Sequence, residues 1–402
     1  MSVFTKDKLE KYADVMVWGL EQARKGGKIN PYETLLLRYN APAQDFADTL
    51  YRRFLEKKVN IVVRLTPGPV AEKDFFTLGD KKMLGFIPAG ERELYSSANG
   101  WIRVRAPESL THLKDTDPKK IAIPAIAGKP LRDILDRREE EGKFSWTLCT
   151  YPTEELAKQA GLSLKEYAAQ IEKACFLGEK DPVARWRQVY RDCGEIKKWL
   201  NSLGIETLHL QSARCDLEVK LGESRRFLGV SGHNIPSFEI FTSPDWRGTR
   251  GTYFADFPSF RDGNYVKDIK LVFEKGRAVS VRAGKGDNFV KKTLAMDAGA
   301  GALGEFSLTD SRFSKIDRFM ADTLFDENHG GKHGNCHVAL GASYSDTFAG
   351  DPKKLTKAAK AKLGFNNSAL HWDIINTEDK AVTAALKNGK KITVYENGEF
   401  KY

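Results

Sequence analysis

The hydrophobic pattern in the first half of the chain alternates between helical and extended segments. Residues 8–23 carry apolar side chains at helical intervals, and residues 45–57 form a second helical stretch. Residues 33–39 (ETLLLRY) and 60–65 (NIVVRL) are short apolar runs of the kind that form buried strands. Because strands and a helix of these lengths alternate, the pattern predicts a βαβ unit and a parallel sheet.

Further segments extend this pattern towards the middle of the chain. Residues 121–126 and 145–150 are predicted to be strands, and residues 152–203 are mostly helical in pattern, with a long helix over 182–203. The first half is therefore predicted to be α/β, with a largely parallel sheet.

The second half is dominated by short strand patterns. The predicted strands are residues 207–211, 216–221, 238–241, 267–274 and 277–282. The sequences EKGR at residues 274–277 and ENGE at residues 396–399 predict hairpin turns. Residues 287–298 are the clearest helix in this half.

Length and the change of pattern together predict two domains. The chain has 402 residues, which is more than one ordinary core, and the pattern changes near residues 205–230. We expect an N-terminal α/β domain over residues 1–220 and a C-terminal α+β domain over residues 221–402 that carries the chemistry. Hydrophobic residues make up 41% of the chain and charged residues 29%, which is typical of a soluble globular protein.

Membrane and secretory classes are disfavoured by the sequence. No apolar run reaches the roughly 18 residues that a membrane helix needs, and the N-terminal MSVFTKDKLE has charges where a signal peptide is apolar. The five cysteines are widely spaced and include no CxxC pair, so a disulfide framework and a cysteine zinc site are both disfavoured. We expect a cytoplasmic protein with no membrane partner.

The net charge of +10 raises the alternative of a nucleic-acid-binding protein. However, 54 acidic residues are interspersed with 64 basic ones. The densest basic stretch, residues 353–362 (KKLTKAAKAK), has a helical pattern and no aromatic residue that could stack on bases. Because no docking motif accompanies the charge, a nucleic-acid partner is not expected.

Residues 299–304 (GAGALG) match the glycine pattern of a dinucleotide-binding loop. That loop must follow a strand and open a helix. Here the order is reversed, since the glycines follow a helical pattern and lead into the strand-like sequence EFSL. Tight packing of small residues against a neighbouring segment explains these glycines better than a cofactor.

Histidines are concentrated near the C-terminus. Residues 327–337 (ENHGGKHGNCH) contain Glu327, His329, His333 and His337 in a glycine-rich loop. Carboxylate and imidazole are the usual ligands of zinc, cobalt and manganese, and glycines let a loop fold tightly around an ion. A solvated polar loop with one or two packed histidines is the alternative.

Other candidate ligands lie in apolar, strand-like segments. His371 and Asp373 are two residues apart and would project to one face of a strand. Glu239 and Glu305 also have apolar neighbours in the sequence, although each could face solvent, and His371 and Asp373 could be a hydrogen-bonded core pair. Together the candidates supply enough ligands for two adjacent divalent ions: Glu239, Glu305, Glu327, His337, His371 and Asp373. No HExxH or GxSxG motif is present.

At five places in order, the C-terminal half resembles the thermophilic-type metallo-aminopeptidases, the family of aminopeptidases T and S. The matching segments are NIPSFEIFTSPDWRGT (234–249), LGEFSL (303–308), TLFDEN (323–328), HVALGASY (337–344) and HWD (371–373). The first half resembles the family more loosely, best at SWTLCTYPTEELA (145–157). One such motif is weak, but five in the family's order are specific.

The resemblance implies a site and its roles. The metal ligands it implies are Glu239, Glu305, His337, His371 and Asp373, with Glu327 as a further ligand. It selects His337 over His329 and His333. Glu305 would bridge the ions and is our first choice for the general base, and Tyr344 would polarise the oxyanion. The resemblance also implies an N-terminal α/β domain, a homodimer and peptide substrates with a free N-terminus.

The function predicted from the sequence is metal-dependent removal of N-terminal residues from peptides. A water activated by two divalent ions would attack the peptide carbonyl. The ions could be zinc, cobalt, manganese or magnesium, since oxygen and nitrogen ligands do not distinguish them. The alternatives are a basic nucleic-acid-binding protein and a metal-binding module without catalysis.

Overall fold

The computed structural model describes residues 3–351 and 354–402. Lys353, the first residue of the basic stretch, lies outside the described residues. The chain divides into two compact units, each built from several segments. Unit 1 comprises residues up to 186 with 231–236 and 261–263, and unit 2 comprises residues 187–230, 237–260 and 264–402. The division into domains after residue 220 stays a prediction.

Helices and strands alternate in the first half of the described chain, and strands predominate in the second. The helices are α1 (Lys6–Gln22), α2 (Gln44–Glu56), α3 (Pro69–Leu78), α4 (Lys81–Leu84), α5 (Glu91–Ser97), α6 (Pro118–Ala127), α7 (Lys129–Glu140), α8 (Glu154–Ala160), α9 (Leu164–Ala174), α10 (Pro182–Ser202), α11 (Asp287–Leu294), α12 (Thr323–Asp326) and α13 (Lys357–Lys362). The strands are β1 (Thr34–Asn40), β2 (Asn60–Thr66), β3 (Gly100–Arg105), β4 (Ser145–Thr150), β5 (Ile205–Ser212), β6 (Asp216–Lys220), β7 (Asn234–Ile235), β8 (Glu239–Thr242), β9 (Arg250–Ala255), β10 (Ser259–Arg261), β11 (Asn264–Glu274), β12 (Arg277–Lys285), β13 (Leu303–Thr309), β14 (Asn335–Gly341), β15 (His371–Asn376), β16 (Lys380–Leu386), β17 (Lys391–Glu396) and β18 (Glu399–Phe400).

Unit 1 contains the parallel sheet that the first half predicts. Its strand order is β2-β1-β3-β4-β7, and all neighbours run parallel. The predicted strands over residues 33–39, 60–65 and 145–150 are present as β1, β2 and β4. Leu35, Leu36 and Leu37 of β1 are buried, as a strand between two neighbours requires.

The first helix follows directly from its sequence. The Thr5 side chain caps α1 by accepting a hydrogen bond from the main-chain N–H of Lys8. The apolar positions Leu9, Met16 and Leu20 are all buried. The helix predicted over residues 8–23 is therefore confirmed.

Residues 121–126 were predicted to be a strand, and this prediction is wrong because they belong to α6. The side chain of Asp117 accepts the main-chain N–H of Lys119 and caps the helix. Pro124 also disfavours a central strand, since proline cannot donate to the ladder. These local signals outweigh the alternating isoleucines.

The sheet contains two strands that the sequence pattern did not predict, β3 and the two-residue β7. β3 lies between β1 and β4 and pairs with both in parallel. Ile102 and Val104 are fully buried, and they alternate with Arg103 and Arg105. This alternation is the signal by which β3 could have been found.

Among the described residues of unit 2, the strands form two sheets. The larger has nine strands in the order β10-β11-β9-β6-β5-β16-β17-β18, with β12 on β11. The strands predicted over residues 207–211, 216–221, 267–274 and 277–282 are present there as β5, β6, β11 and β12. The smaller sheet has the order β15-β14-β13-β8 and is antiparallel throughout.

Both predicted hairpin turns are confirmed. Lys275 and Gly276 join β11 to β12, and Asn397 and Gly398 join β17 to β18. All four residues have positive φ, as the preferred two-residue hairpin turn requires.

The helix predicted over residues 287–298 ends earlier, at Leu294. The side chain of Asp297 accepts the main-chain N–H groups of Gly299 and Ala300 at 2.7 and 2.9 Å. An aspartate that bonds the following main chain in this way favours a turn over continuation of the helix.

Gly299 and Gly301 lie between α11 and β13, and Gly304 is the second residue of β13, so the glycines follow a helix and lead into a strand, the order that argued against a dinucleotide-binding loop. A Cβ on Gly299 would lie 2.1 Å from the carbonyl oxygen of Asn367, and one on Gly304 would lie 2.1 Å from that of Ala342. Close packing against neighbouring backbone therefore accounts for two of the three glycines.

We expect Gly304→Ala to lower the free energy of unfolding by about 3 kcal/mol, because the added methyl group must displace backbone. Gly301→Ala is the matched control in the same segment. Its Cβ would meet no neighbour closer than the carbonyl oxygen of Leu294 at 3.9 Å. Urea unfolding of both variants measures the difference, and equal stabilities would contradict the packing explanation.

No disulfide joins the five cysteines, all of which are described and buried. Among residues 3–351 and 354–402, no helix combines the length and hydrophobicity needed to cross a bilayer.

Candidate metal centre

Four of the candidate ligands share one face of the four-stranded sheet. Residues opposite each other in an antiparallel pair point to the same face, as do residues two apart on a strand. Glu305 of β13 and Asp373 of β15 both lie opposite Ala339 of β14. His337 is two residues before Ala339, and His371 is two residues before Asp373. All four side chains therefore project from the same face.

Glu239 belongs to this face as well. It lies opposite Thr309, which is four residues after Glu305 on β13. The other face is packed, since Tyr253 of β9 donates hydrogen bonds from its hydroxyl to the carbonyl oxygens of Cys336 and Ile374 at 3.0 and 2.8 Å. β13 and β14 are buried along their whole length, so the polar residues they carry lie inside the protein.

The centre of the cluster is formed by Glu239, Glu305 and His337. One potential ligand atom from each lies within 4.8 Å of the other two. His337 Nε2 is 3.2 Å from Glu305 Oε1 and 3.3 Å from Glu239 Oε2. The His337 side chain is only 1% exposed, so this contact is shielded from solvent.

His371 and Asp373 extend the cluster to a second imidazole. His371 Nε2 lies 3.8 Å from Glu305 Oε2 and 3.5 Å from Asp373 Oδ1. The two oxygens of Glu305 therefore face different histidines. His371 Nδ1 donates to the carbonyl oxygen of Ala342 at 2.9 Å, so Nε2 is the ring nitrogen that faces the carboxylates.

Glu327 lies at the end of α12 and is buried. It is not part of the three-residue centre. Burial raises the pKa of its carboxyl group well above the usual range, and the negative charges of Glu239 and Asp373 raise it further. Its carboxyl group is thus close enough to the cluster to experience its charge.

Tyr344 lies at the edge of the cluster. Its ring centroid is 4.6 Å from that of His371 and 5.9 Å from that of Phe241. Its main-chain N–H donates to Ser243 Oγ at 2.8 Å. The residue is 45% exposed, so it borders solvent while its ring packs on that of the half-buried His371.

Burial and the neighbouring charges strongly shift the pKa values of the groups in the cluster. Burial raises the pKa of Glu305 to about 7, although the hydrogen bond from His337 opposes the rise. Burial lowers the pKa of His337, but bonds to Glu239 and Glu305 outweigh it and raise the pKa well above its usual value. Likewise, the pKa of His371 rises to about 9, because the charge of Asp373 outweighs burial.

These residues fit divalent cations. Among the described residues, no lysine or arginine forms an ion pair with Glu239 or Glu305, whose salt-bridge partners are histidines. Buried carboxylates are costly without a compensating cation. An arrangement of oxygen and imidazole nitrogen atoms is the donor set that zinc, cobalt and manganese prefer.

The remaining histidines of residues 327–337 lie elsewhere. The His329 ring packs on Phe257, with centroids 4.8 Å apart. His333 Nδ1 lies 3.3 Å from Asp379 Oδ1. The glycine-rich loop therefore does not gather three imidazoles, and only His337, on β14, reaches the cluster.

Three polar residues of the site were missed in the sequence. Ser307 Oγ donates to Glu239 Oε2 at 3.3 Å. Asn328 and Asn335 bond the main chain around Glu327. Ser307 and Asn335 occupy alternate positions with Glu305 and His337 on their strands, and this period of two was the available signal.

The chain is similar to known proteins over nearly its whole length. Residues 5–400 match the family described as thermophilic metalloprotease (M29). The chain is 27% identical over 419 residues to aminopeptidase AmpS of Bacillus subtilis, with 98% of each chain covered. It is 30% identical over 274 residues to aminopeptidase T of Thermus thermophilus, covering 64% of this chain and 65% of that protein.

The fold is also shared with a solved structure. Wild-type AmpT from Thermus thermophilus superimposes with a TM-score of 0.82 at 24% identity, covering 99% of this chain and 100% of that one. The resemblance drawn from five short segments is confirmed. Because the family match extends from residue 5 to residue 400, the chain belongs to the thermophilic metalloprotease (M29) family.

Proposed function

We propose that this protein removes N-terminal residues from peptides by means of two divalent ions held on one face of the four-stranded sheet. Membership of the metalloprotease family makes it a metal-dependent hydrolase, and its relatives are named aminopeptidases. The observation that carries the two-ion proposal is Glu305, whose two oxygens face His337 and His371 separately. A metal-binding module without catalysis is not favoured by these relatives.

Six side chains would hold the ions. Glu305 would bridge them, and the others are Glu239, Glu327, His337, His371 and Asp373. Ions bound there would polarise the scissile carbonyl and promote deprotonation of an attacking water. The charges match, because divalent cations would offset the buried carboxylates of Glu239 and Glu305, whose ion-pair partners among the described residues are histidines.

A side chain of the protein then accepts the proton and later donates it. In our proposal the Glu305 carboxylate accepts a proton from the attacking water while the water oxygen bonds to the carbonyl carbon. The C–N bond of the peptide breaks, and the protonated carboxyl group delivers its proton to the leaving amine. The cluster is buried except near Tyr344, so bulk water is largely excluded while the proton moves.

Tyr344 is proposed to donate a hydrogen bond to the oxyanion. Tyr344→Phe is therefore expected to lower kcat by about 100-fold and to change KM and metal content little, since losing one oxyanion donor costs that much in other enzymes. Tyr265→Phe, at a 37% exposed tyrosine of unit 2, is the control. Steady-state kinetics and metal analysis measure both, and unchanged kcat would contradict the role.

A free N-terminus on the substrate is the second part of the proposal. An aminoacyl p-nitroanilide and its N-acetyl form differ only in the charge and size of that end. We expect hydrolysis of the free form alone, with metal present. Equal rates on both forms would identify an enzyme that does not require the N-terminus and would contradict the proposal.

Two further properties are carried over from the sequence as proposals. A homodimer is implied by the resemblance, and a cytoplasmic location is supported by five buried cysteines without a disulfide. Light scattering at several protein concentrations tests the first, and fractionation of the source cells tests the second.

A further inference from the structure

Asn335 stands among the positions that carry the candidate ligands. It is the first residue of β14, two residues before His337 and on the same face of that strand. It lies opposite Thr309 of β13 and is completely buried. An amide is therefore fixed in the same row as the carboxylates and imidazoles.

The Asn335 side chain bonds the segment that carries Glu327. Its Nδ2 donates to the carbonyl oxygen of Glu327 at 3.0 Å and to that of His329 at 2.7 Å. Thr309 Oγ1 donates to the same Glu327 carbonyl at 3.3 Å. Both N–H groups of one amide thus hold the main chain on either side of Asn328.

The Asn328 side chain also holds this segment, through hydrogen bonds to the main chain of two other residues. The Asn328 Oδ1 accepts the main-chain N–H of Phe238 at 2.6 Å, and its Nδ2 donates to the carbonyl oxygen of Leu324 at 3.0 Å. Phe238 is the residue before Glu239. The chain around Glu327 is therefore bonded to the strand carrying His337 and to the residue that precedes Glu239.

Glu327 needs this support because the helix before it is short. α12 is only four residues long, so a helical ladder does little to fix the residue that follows it. The hydrogen bonds from Asn335 and Thr309 to the Glu327 carbonyl oxygen supply a restraint that the short helix lacks.

We propose that Asn335 is a positioning residue that fixes Glu327 relative to His337 by holding the main chain of residues 327–329. The proposal rests on the proposed function, in which Glu327 and His337 both hold metal. Asn335 itself is not among the proposed ligands, since its Nδ2 donates to main-chain carbonyl oxygens. Its loss would widen the site on the Glu327 side and weaken metal binding, while the ligands themselves remain in the sequence.

Asn376 provides a matched control. It is also a completely buried asparagine, and it lies in β15 opposite Cys336, the residue after Asn335. Its position places it on the other face of the sheet, where its Nδ2 donates to the carbonyl oxygen of Phe254 at 2.9 Å. Removing it deletes equivalent bonds in the same sheet without touching the Glu327 segment.

The test compares Asn335→Ala with Asn376→Ala in the full-length protein. Metal is stripped, Co²⁺ is added back in competition with a chromophoric chelator, and the Co²⁺ absorption spectrum and Tm are recorded. We expect both variants to lower Tm comparably, since each loses buried hydrogen bonds. We expect only Asn335→Ala to weaken Co²⁺ binding, by about 10-fold or more, and to alter the spectrum.

Equal Co²⁺ affinity in the two alanine variants would overturn the proposal. If Asn335→Ala does not fold, Asn335→Ser provides the test, because the serine hydroxyl keeps one hydrogen-bond donor. We expect the Asn335→Ser protein to bind Co²⁺ with intermediate affinity. Wild-type affinity in that variant would also overturn the proposal. The wild type is assayed for Co²⁺-dependent hydrolysis in parallel. An inactive wild type would overturn the proposed function, whereas an active wild type with equal variants would overturn the role of Asn335 alone.

Discussion

Glu305→Gln is expected to lower kcat/KM for an aminoacyl p-nitroanilide by about 1,000-fold or more. The glutamine has nearly the same size, so packing in β13 is preserved. One of the two carboxylate oxygens is replaced by an NH₂ group, which cannot accept a proton or bind a cation. Because the two oxygens of Glu305 face His337 and His371 at 3.2 and 3.8 Å, either orientation of the amide removes one of these contacts.

Glu274→Gln is the control for this substitution. Glu274 is an exposed residue at the end of β11 in the same unit, so the same change of charge leaves the site untouched. Kinetics on metal-loaded protein measure both variants. Activity of Glu305→Gln within about 10-fold of the wild type would contradict the assigned role, since a general base alone contributes about 100-fold or more.

His337→Ala is expected to weaken metal binding by about 100-fold and to abolish measurable hydrolysis at ordinary metal concentrations. His337 contacts two carboxylates of the centre, Glu305 and Glu239, within 3.3 Å. Mutating a residue that orients a metal ligand weakens metal binding by about 10- to 100-fold. Removing a direct ligand should weaken metal binding at least as much. Metal content after dialysis, measured by elemental analysis, reports the effect.

His209→Ala is the corresponding control. His209 lies on β5 and pairs with Asp216 at a site where its side chain is 39% exposed. An exposed ion pair of this kind contributes little to stability, so the variant should fold, bind metal and hydrolyse substrate like the wild type. A His337→Ala protein that retains its metal to the same extent would exclude His337 from the ligands.

The sequence predicted the architecture well where short-range pattern decides it. The continuous apolar run of β1 is typical of a strand in a parallel sheet covered on both faces. The burial predicted for residues 60–65 is wrong, because β2 is an edge strand whose Val63 and Leu65 are 40% and 58% exposed. The strand predicted over residues 121–126 is wrong because the Asp117 cap begins a helix there and Pro124 disfavours a central strand. β3 was overlooked although Ile102 and Val104 alternate with arginines, a pattern that favours a strand with one buried face.

The site was predicted less from pattern than from resemblance. His371 and Asp373 could be paired on one strand from their spacing, but Glu239 and His337 are brought together only by the pairing of β8, β13 and β14. Such long-range register is not readable from one sequence. The period of two on β14 could have indicated Asn335, but the hydrogen bonds that Asn335 and Asn328 make depend on where a loop returns to the sheet.

Titration of the metal-stripped protein with Co²⁺ or Zn²⁺, with bound metal and hydrolysis of an aminoacyl p-nitroanilide recorded together, tests the central claim most directly. We predict no hydrolysis without metal and a rise in activity that reaches its plateau at about two equivalents. Full activity in the metal-free protein, or a plateau at one equivalent, would contradict a site in which Glu305 joins two ions.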